Sequence, residues 1–238
     1  MKREKTMKKT LLLAGIASLV AFNASATEYL PYVAARFARV EVKNDAYQYT
    51  IFEGNNTRYD VVNDKINDDQ FGYRFAAGVM VPLCGGLAES VRAELEYGLI
   101  NKTHNNGNWS MWNIASTWEM QSKIQTLFAN FYYDLNTDTA VTPYFGFGLG
   151  YARINEKAGV SIPVPGMNAP VTEKAKGSED NFAWNVGVGV SVNLTYNIDV
   201  EVGYRYTDYG KMVNHAAADY AKRNYTSQEV LLGLRYTF

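Results

Sequence analysis

The sequence predicts an all-β fold, an eight-stranded antiparallel up-and-down transmembrane β-barrel that follows a cleavable signal peptide. Three observations lead to this prediction. Segments of roughly 10 residues alternate between apolar and polar side chains, which is typical of strands with different surroundings on their two faces. The connections between these segments alternate between short and long, and the last segment ends the chain on Phe238. Barrels that cross a membrane with tilted strands combine these features.

The N-terminus has the pattern of a secretory signal peptide. A basic head, an apolar run over 11–22 and the sequence Ala24-Ser25-Ala26 follow one another. The apolar run is shorter than the roughly 20 residues of a membrane-spanning helix. We therefore expect cleavage after Ala26, which divides the chain into a signal peptide (1–26) and an outer-membrane β-barrel domain (27–238). A start at Met7 would also give a complete signal, so the sequence leaves Met1 and Met7 open as the first residue.

Composition argues against several classes of function. Residues 1–26 hold five of the 23 Lys and Arg residues and one of the 24 Asp and Glu residues, so the mature chain has a net charge of −5. This balance gives no reason to expect nucleic acid as a partner. A single cysteine, Cys84, rules out an internal disulfide and a cysteine-built metal site. We expect no cofactor, no metal and no catalytic residue.

The order of the strands follows from their connections. We predict strands at 30–42, 70–83, 88–100, 122–135, 142–155, 182–194, 198–210 and 228–238. Short connections at 84–87, 136–141 and 195–197 have the composition of tight turns, whereas long polar connections cover 43–69, 101–121, 156–181 and 211–227. An even number of strands puts both termini at the end with the short turns. We expect that end to be periplasmic and the four long loops to be extracellular.

The two faces of each strand support this assignment. In chain order, the apolar rows include Val33 and Phe37, Phe71 and Phe75, Leu95 and Tyr97, Leu127 and Phe131, Phe145 and Phe147, Trp184 and Val186, Val202 and Tyr204, and Leu232 and Leu234. We expect these rows to face lipid, with aromatic residues gathered at the strand ends as interfacial girdles. Arg39 falls on the outward row of the first strand, so we place it at the rim of the membrane.

The inward rows bring charged residues together. We name this set the luminal charge network, and it consists of Arg36, Arg74, Arg92, Glu94, Glu96, Glu201, Arg205, Glu229 and Arg235. Because isolated buried charges cost several kcal/mol each, these groups are expected to pair with one another. The network is either a salt-bridged plug or an ion path along the lumen. Since the interior of eight strands is just wide enough for side chains to fill, the sequence favours the plug.

Glycines alternate with apolar residues in the fifth and sixth predicted strands. Gly146, Gly148 and Gly150 face inward, beside Gly187 and Gly189. This spacing within a strand differs from the strand-to-helix Gly-x-Gly-x-x-Gly of dinucleotide sites. We expect the glycines to make room for long Arg and Glu side chains from the opposite wall.

Several segments together resemble the superfamily of opacity proteins and outer membrane protein A barrels. The matching segments are 142–151, 181–189, 201–206 and 236–238, within a resemblance that extends over nearly the whole mature chain. It implies a bacterial outer-membrane location, contact with lipid and lipopolysaccharide, and a strand end at Tyr236 and Phe238 that the barrel-assembly machinery recognises. It also implies functions that vary with the loops: adhesion to host surfaces, immune evasion, envelope integrity or a small pore.

The long loops contain the remaining candidates. Trp109, Trp112 and Trp118 either form a contact surface for a protein or glycan, or Trp112 and Trp118 begin the interfacial girdle and only Trp109 is free, which is the interpretation we favour. The only histidines, His104 and His215, have no neighbours that would order a catalytic triad. We therefore predict a structural or surface-interaction protein, not an enzyme, that contacts host or environmental ligands through its loops. A small-conductance channel is the alternative, followed by a lipid-modifying enzyme.

Overall fold

The computed structural model describes residues 29–53, 56–62, 66–83, 87–111, 114–137, 139–163, 170–216 and 219–238. These residues form β1 (Leu30–Glu53), β2 (Asn56–Val62), β3 (Ile66–Pro82), β4 (Ala88–Met111), β5 (Ile114–Leu135), β6 (Val141–Ile162), β7 (Val171–Thr195), β8 (Ile198–Ala216) and β9 (Asp219–Thr237). The predicted signal peptide and Cys84 lie outside the described residues. No helix among the described residues is long and apolar enough to span a membrane.

Eight of the nine strands close into an antiparallel barrel. From β3 to β9, consecutive strands pair with each other. Strand β1 pairs with β3 on one side and with β9 on the other, from Tyr32↔Thr237 onward. Strand β2 pairs only with the end of β1, between Tyr47↔Val62 and Glu53↔Asn56. The predicted eight-stranded antiparallel barrel is therefore confirmed, with β2 as a short additional strand outside the closed wall.

The start of β1 and the last residues of β9 lie at the end of the barrel that carries the tight turns. The Thr237 amide donates a hydrogen bond to the carbonyl oxygen of Asn197 (2.9 Å), in the turn between β7 and β8. The Phe238 amide donates to the carbonyl oxygen of Pro31 (3.0 Å) at the start of β1. These bonds fix the last strand against its two neighbours at the short-turn end.

The long connections are mostly strand, so the predicted strand boundaries at this end were wrong. Strands β4 and β5 stay paired to Met111↔Ile114, and β6 and β7 stay paired to Ile162↔Val171. The alternation of apolar and polar residues stops in these segments, which is why the sequence suggested loops. Backbone ladders continue there without that pattern, since alternation reports a difference between two faces rather than pairing itself.

The barrel wall divides in two at the long end. The β7–β8 ladder ends at Trp184↔Asp208, and the β3–β4 ladder ends at Gly72↔Ile100, although all four strands continue. Beyond these pairs, β4 to β7 form one sheet, and β8, β9, β1 and β3 form the other. We call them the first and second upper sheets, the breaks between them the two seams, and the closed part the lower barrel.

The outer face of the lower barrel is apolar. Large side chains expose about half of their surface in rows along the strands, including Phe75, Phe147, Phe182, Val188 and Leu232. Aromatic side chains stack across neighbouring strands, as in Phe131–Phe147 and Tyr133–Phe145. Arg39 faces outward beyond these rows, where its Nη2 donates to Asp69 Oδ2 at 2.6 Å.

Candidate functional site

All nine residues of the luminal charge network lie inside the lower barrel. None of them exposes more than 5% of its surface. They come from β1, β3, β4, β8 and β9, so the closure of the sheet brings together groups that lie far apart in the chain. Long side chains from several walls therefore meet near the barrel axis and pair there.

Arg36 joins three carboxylates at the centre of the network. Its Nη1 lies 2.8 Å from Glu94 Oε1 and 3.1 Å from Glu96 Oε2, and its Nε lies 2.9 Å from Glu201 Oε2. A planar guanidinium with five donors is suited to such multiple pairing. Arg36 thereby connects the two acidic residues of β4 with the acidic residue of β8.

Glu94 is held by neutral donors as well as by Arg36. The hydroxyl of Tyr32 donates to Oε2 (3.0 Å), and Oε1 accepts from the Tyr132 hydroxyl (2.9 Å) and from Asn130 Nδ2 (3.2 Å). Buried carboxylates require such additional bonds, since ion pairing alone rarely offsets their desolvation. Both carboxylate oxygens of Glu94 therefore accept hydrogen bonds from charged and from neutral donors.

Two aspartates complete the network at its lower end. Arg92 Nη2 lies 2.8 Å from Asp134 Oδ1 while Arg92 Nη1 lies 2.7 Å from Glu201 Oε1, and Arg235 Nη2 lies 3.0 Å from Asp199 Oδ2. The alternation of the sequence places both aspartates on inward faces. Their arginine partners depend on the register between strands, which the sequence does not give, so neither aspartate was included in the predicted luminal charge network.

The upper part of the network consists of two further pairs. Arg205 contacts Glu96 through Nη1 at 2.6 Å, and Arg74 Nη2 contacts Glu229 Oε1 at 2.7 Å. The same oxygen of Glu229 accepts the Tyr209 hydroxyl at 2.8 Å. Each of the five arginines thus has a carboxylate partner, and the two aspartates bring the number of carboxylates paired with these arginines, among the described residues, to six.

Tyrosine rings fill the space beside Gly146 and Gly189, where we expected Arg and Glu side chains from the opposite wall, and Asn130 and Asn185 fill the space beside Gly148. The ring of Tyr132 packs over Gly146, and a Cβ at Gly189 would lie 2.5 Å from the Tyr144 hydroxyl. The guanidinium of Arg92 lies 4.6 Å from the centre of the Tyr132 ring and 5.0 Å from that of Tyr144. The room beside Gly146 and Gly189 therefore holds tyrosines from adjacent strands, and the arginines stack on those rings.

An apolar layer lies above the network, toward the long end. It consists of Ala38, Val40, Val42, Ile100, Ile124, Phe128, Ala152, Ile154, Ala183, Tyr209, Tyr225 and Leu231, each no more than 5% exposed. These residues face inward from β1 and from β4 to β9. The interior therefore becomes mainly apolar toward the long end, where the buried Glu156 accepts a hydrogen bond from the Tyr225 hydroxyl at 3.1 Å.

The lumen is filled where the network lies. A cavity beside Arg36, Tyr132, Tyr144 and Arg205 measures about 10 Å³, which is roughly the minimum for one water molecule. Conduction of ions would require both a displacement of the paired charges and an opening through the apolar layer. The interior is consequently packed with side chains at the level of the network.

The described residues contain no group of three or more His, Cys, Asp or Glu residues placed to hold a metal ion. His104 lies in β4 opposite Gln121 and His215 lies in β8 opposite Tyr220, so the two histidines belong to different upper sheets. Trp112 lies outside the described residues.

The amino-acid sequence of this chain is similar to those of known outer-membrane proteins. The family model for the outer membrane protein beta-barrel domain matches residues 10–238. Outer membrane protein PagN of Salmonella typhimurium is 33% identical over 126 residues, which are 50% of this chain and 51% of PagN. The 25 kDa outer-membrane immunogenic protein of Brucella abortus is 28% identical over 44% of this chain and 42% of its own. The chain thus spans about half the length of the curated relatives that it matches.

Solved structures are similar at low sequence identity. The crystal structure of Neisserial surface protein A has 21% identity and a TM-score of 0.48, and covers 87% of this chain and 97% of its own. The outer membrane protein OprG of Pseudomonas aeruginosa has 14% identity and a TM-score of 0.48, and covers 89% of this chain and 97% of its own.

Proposed function

This chain belongs to the outer membrane protein beta-barrel domain family, and from that membership we propose that it is a closed, non-conducting barrel that holds interaction surfaces outside the bacterial outer membrane. One observation carries the proposal. The lower barrel is filled, while its strands continue well beyond it as paired sheets. Strand β4 alone runs 11 residues past Ile100 to Met111, which is roughly 35 Å along the strand.

The proposed orientation follows from the two ends of the barrel. We place the short turns and both chain termini in the periplasm, as is usual for such barrels, and we place the upper sheets outside the cell. In the sequence, Cys84 falls between Pro82, the last residue of β3, and Ala88, the first residue of β4, so the proposed orientation assigns it to the periplasmic side. In intact cells we expect it to resist a membrane-impermeant maleimide, and rapid labelling there would contradict this orientation.

The upper sheets supply the contact surface in this proposal. They carry polar and charged strands together with Trp109 in β4 and Trp118 in β5, and aromatic residues are frequent anchors at protein interfaces. We propose attachment to host or environmental surfaces as the role of these sheets. Lipid, lipopolysaccharide and the assembly machinery are the partners proposed for the lower barrel and for its strand end at Tyr236 and Phe238.

Trimming the upper sheets tests this function. Residues 103–122 and 155–178 would each be replaced by an Asn-Gly turn, and bacteria displaying each variant would be mixed with cultured epithelial cells. We expect attachment to fall for the trimmed proteins while heat-modifiable migration on gels shows that the barrels still fold. Replacement of the opposite turn at 136–140 by Asn-Gly is the matched control. Undiminished attachment after both trims would overturn the proposal.

A further inference from the structure

The seam between β7 and β8 leaves a strand edge without a neighbour. Strand β7 remains paired with β6 from Ile162↔Val171 to Gly150↔Ala183, but its pairing with β8 begins only at Trp184↔Asp208. Beyond that point β8 pairs with β9 alone, from Lys211↔Asn224 to Ala216↔Asp219. Within the described residues, the side of β7 that faces this seam thus has no paired strand over 171–179.

A local bend of β8 separates the two strands. Gly210 has a φ of 80°, and its amide donates to Asp208 Oδ1 at 2.8 Å. The β8–β9 register shifts between Asp208 and Lys211, as expected for a bulge that turns the strand. A Cβ at position 210 would lie 2.9 Å from Asn181 Cβ, so the strands still touch at that level and diverge above it. The open edge is therefore a built feature of the Asp208–Gly210 segment.

The outward face beside this edge is basic. Lys174 and Lys176 lie on β7, and Lys157 on β6 lies directly opposite Lys176. All three side chains are exposed, and none has an ion-pair partner among the described residues. Lower on the same face, Arg153 and Asp180 neutralise each other through a pair at 2.6 Å. The excess positive charge is thus concentrated next to the free backbone groups.

These two observations select the kind of partner. An unpaired strand edge accepts an extended polypeptide through main-chain hydrogen bonds, and neighbouring side chains then determine which sequence binds. We propose that the edge of β7 over 171–179 binds an extended, acidic segment of another protein as an added strand. The acidic residues of that segment lie opposite Lys174 and Lys176. This inference rests on the proposed function, because it needs the upper sheets outside the cell.

A second copy of the chain fits this edge poorly. Two barrels in one membrane are related by a rotation about the membrane normal, as in a cyclic dimer. Because barrel strands tilt by roughly 35–45° from that axis, the two β7 edges would cross at roughly 80° rather than lie alongside each other. A segment from a protein outside the membrane has no such restriction.

The test uses a fluorescein-labelled 11-residue peptide of alternating Thr and Glu, with the full barrel in phosphatidylcholine nanodiscs and fluorescence anisotropy as the readout. A twin peptide with every backbone nitrogen methylated keeps the charges but cannot donate. We expect the twin to bind at least about tenfold more weakly, since about 1.4 kcal/mol corresponds to a factor of ten. Equal binding of the two peptides would show a purely ionic contact, as a sulfated polysaccharide would make, and would overturn the inference.

Charge reversal locates the site. We expect Lys174→Glu with Lys176→Glu to weaken binding about tenfold, because several exposed ionic contacts of up to about 1 kcal/mol each are reversed. Lys123→Glu, on the same outward face but two strands from the edge, is the matched control and should change binding less than about twofold. Equal effects of the two changes would contradict the assignment to β7. If the peptide fails to bind although trimming still abolishes attachment, this inference fails and the proposed function stands.

Discussion

Below the Trp184–Asp208 and Gly72–Ile100 pairs the strands close on one another, and above those pairs they separate into two sheets. In the lower barrel every strand has two neighbours and charged side chains are paired in its interior. In the upper sheets several strands have one neighbour, and polar side chains face solvent. The difference teaches that every strand keeps two neighbours where charged side chains fill the interior, while the open edges lie farther toward the long end.

Removal of Arg36 should break the lower barrel most strongly. Arg36→Ala leaves three buried carboxylates without their common partner, and we expect a loss of about 3–5 kcal/mol in the free energy of unfolding. Urea-induced unfolding in lipid vesicles, followed by tryptophan fluorescence, measures this loss. Arg153→Ala is the control, since it breaks an exposed pair in the first upper sheet and should cost at most about 1 kcal/mol. Similar losses for both variants would contradict the contrast between the two regions.

A smaller effect is expected from Gly150→Ala, where the network gives way to the apolar layer. A methyl group there would overlap the Leu127 carbonyl oxygen and lie 2.8 Å from Phe128 Cα. We expect overpacking to cost about 1–3 kcal/mol in the same unfolding assay. At Gly72 the nearest atoms would lie 3.2 Å away, so Gly72→Ala should cost less. A larger loss at Gly72 would show that the interior is packed differently from this description.

The smallest loss in the free energy of unfolding is expected from substitutions of Gly210, at the seam between β7 and β8. Gly210→Ala places a side chain at a φ of 80°, which costs about 1–2 kcal/mol for an ordinary L-residue. Gly210→Asn adds the same Cβ, but asparagine tolerates this backbone conformation, so we expect a smaller loss. Hydrogen exchange of the amides from Phe182 to Trp184 would show whether the loss is confined to the seam. Identical losses for the two substitutions would mean that the contact with Asn181, rather than the backbone bend, determines the cost.

The sequence predicted the lower barrel far better than the upper sheets. Alternation identified the inward faces of Arg92 and Glu201 because lipid and lumen differ sharply in polarity. It could not assign Asp134 to Arg92, or Tyr132 to Gly146, because those partners depend on the register between strands. Above the seams both faces of a strand are largely polar, so the alternation that identifies a strand in the sequence is missing. The open edge at β7 depends on one glycine, Gly210, whose conformation no residue pattern specifies.

The central claim is that the lower barrel is a seal and the upper sheets carry the function. Planar-bilayer recording of the refolded full chain tests it most directly. We predict no steady channel currents from the wild-type protein, because paired charges and the apolar layer fill the lumen. Steady single-channel currents that disappear in Glu201→Gln would contradict the claim and assign the luminal charge network to an ion path.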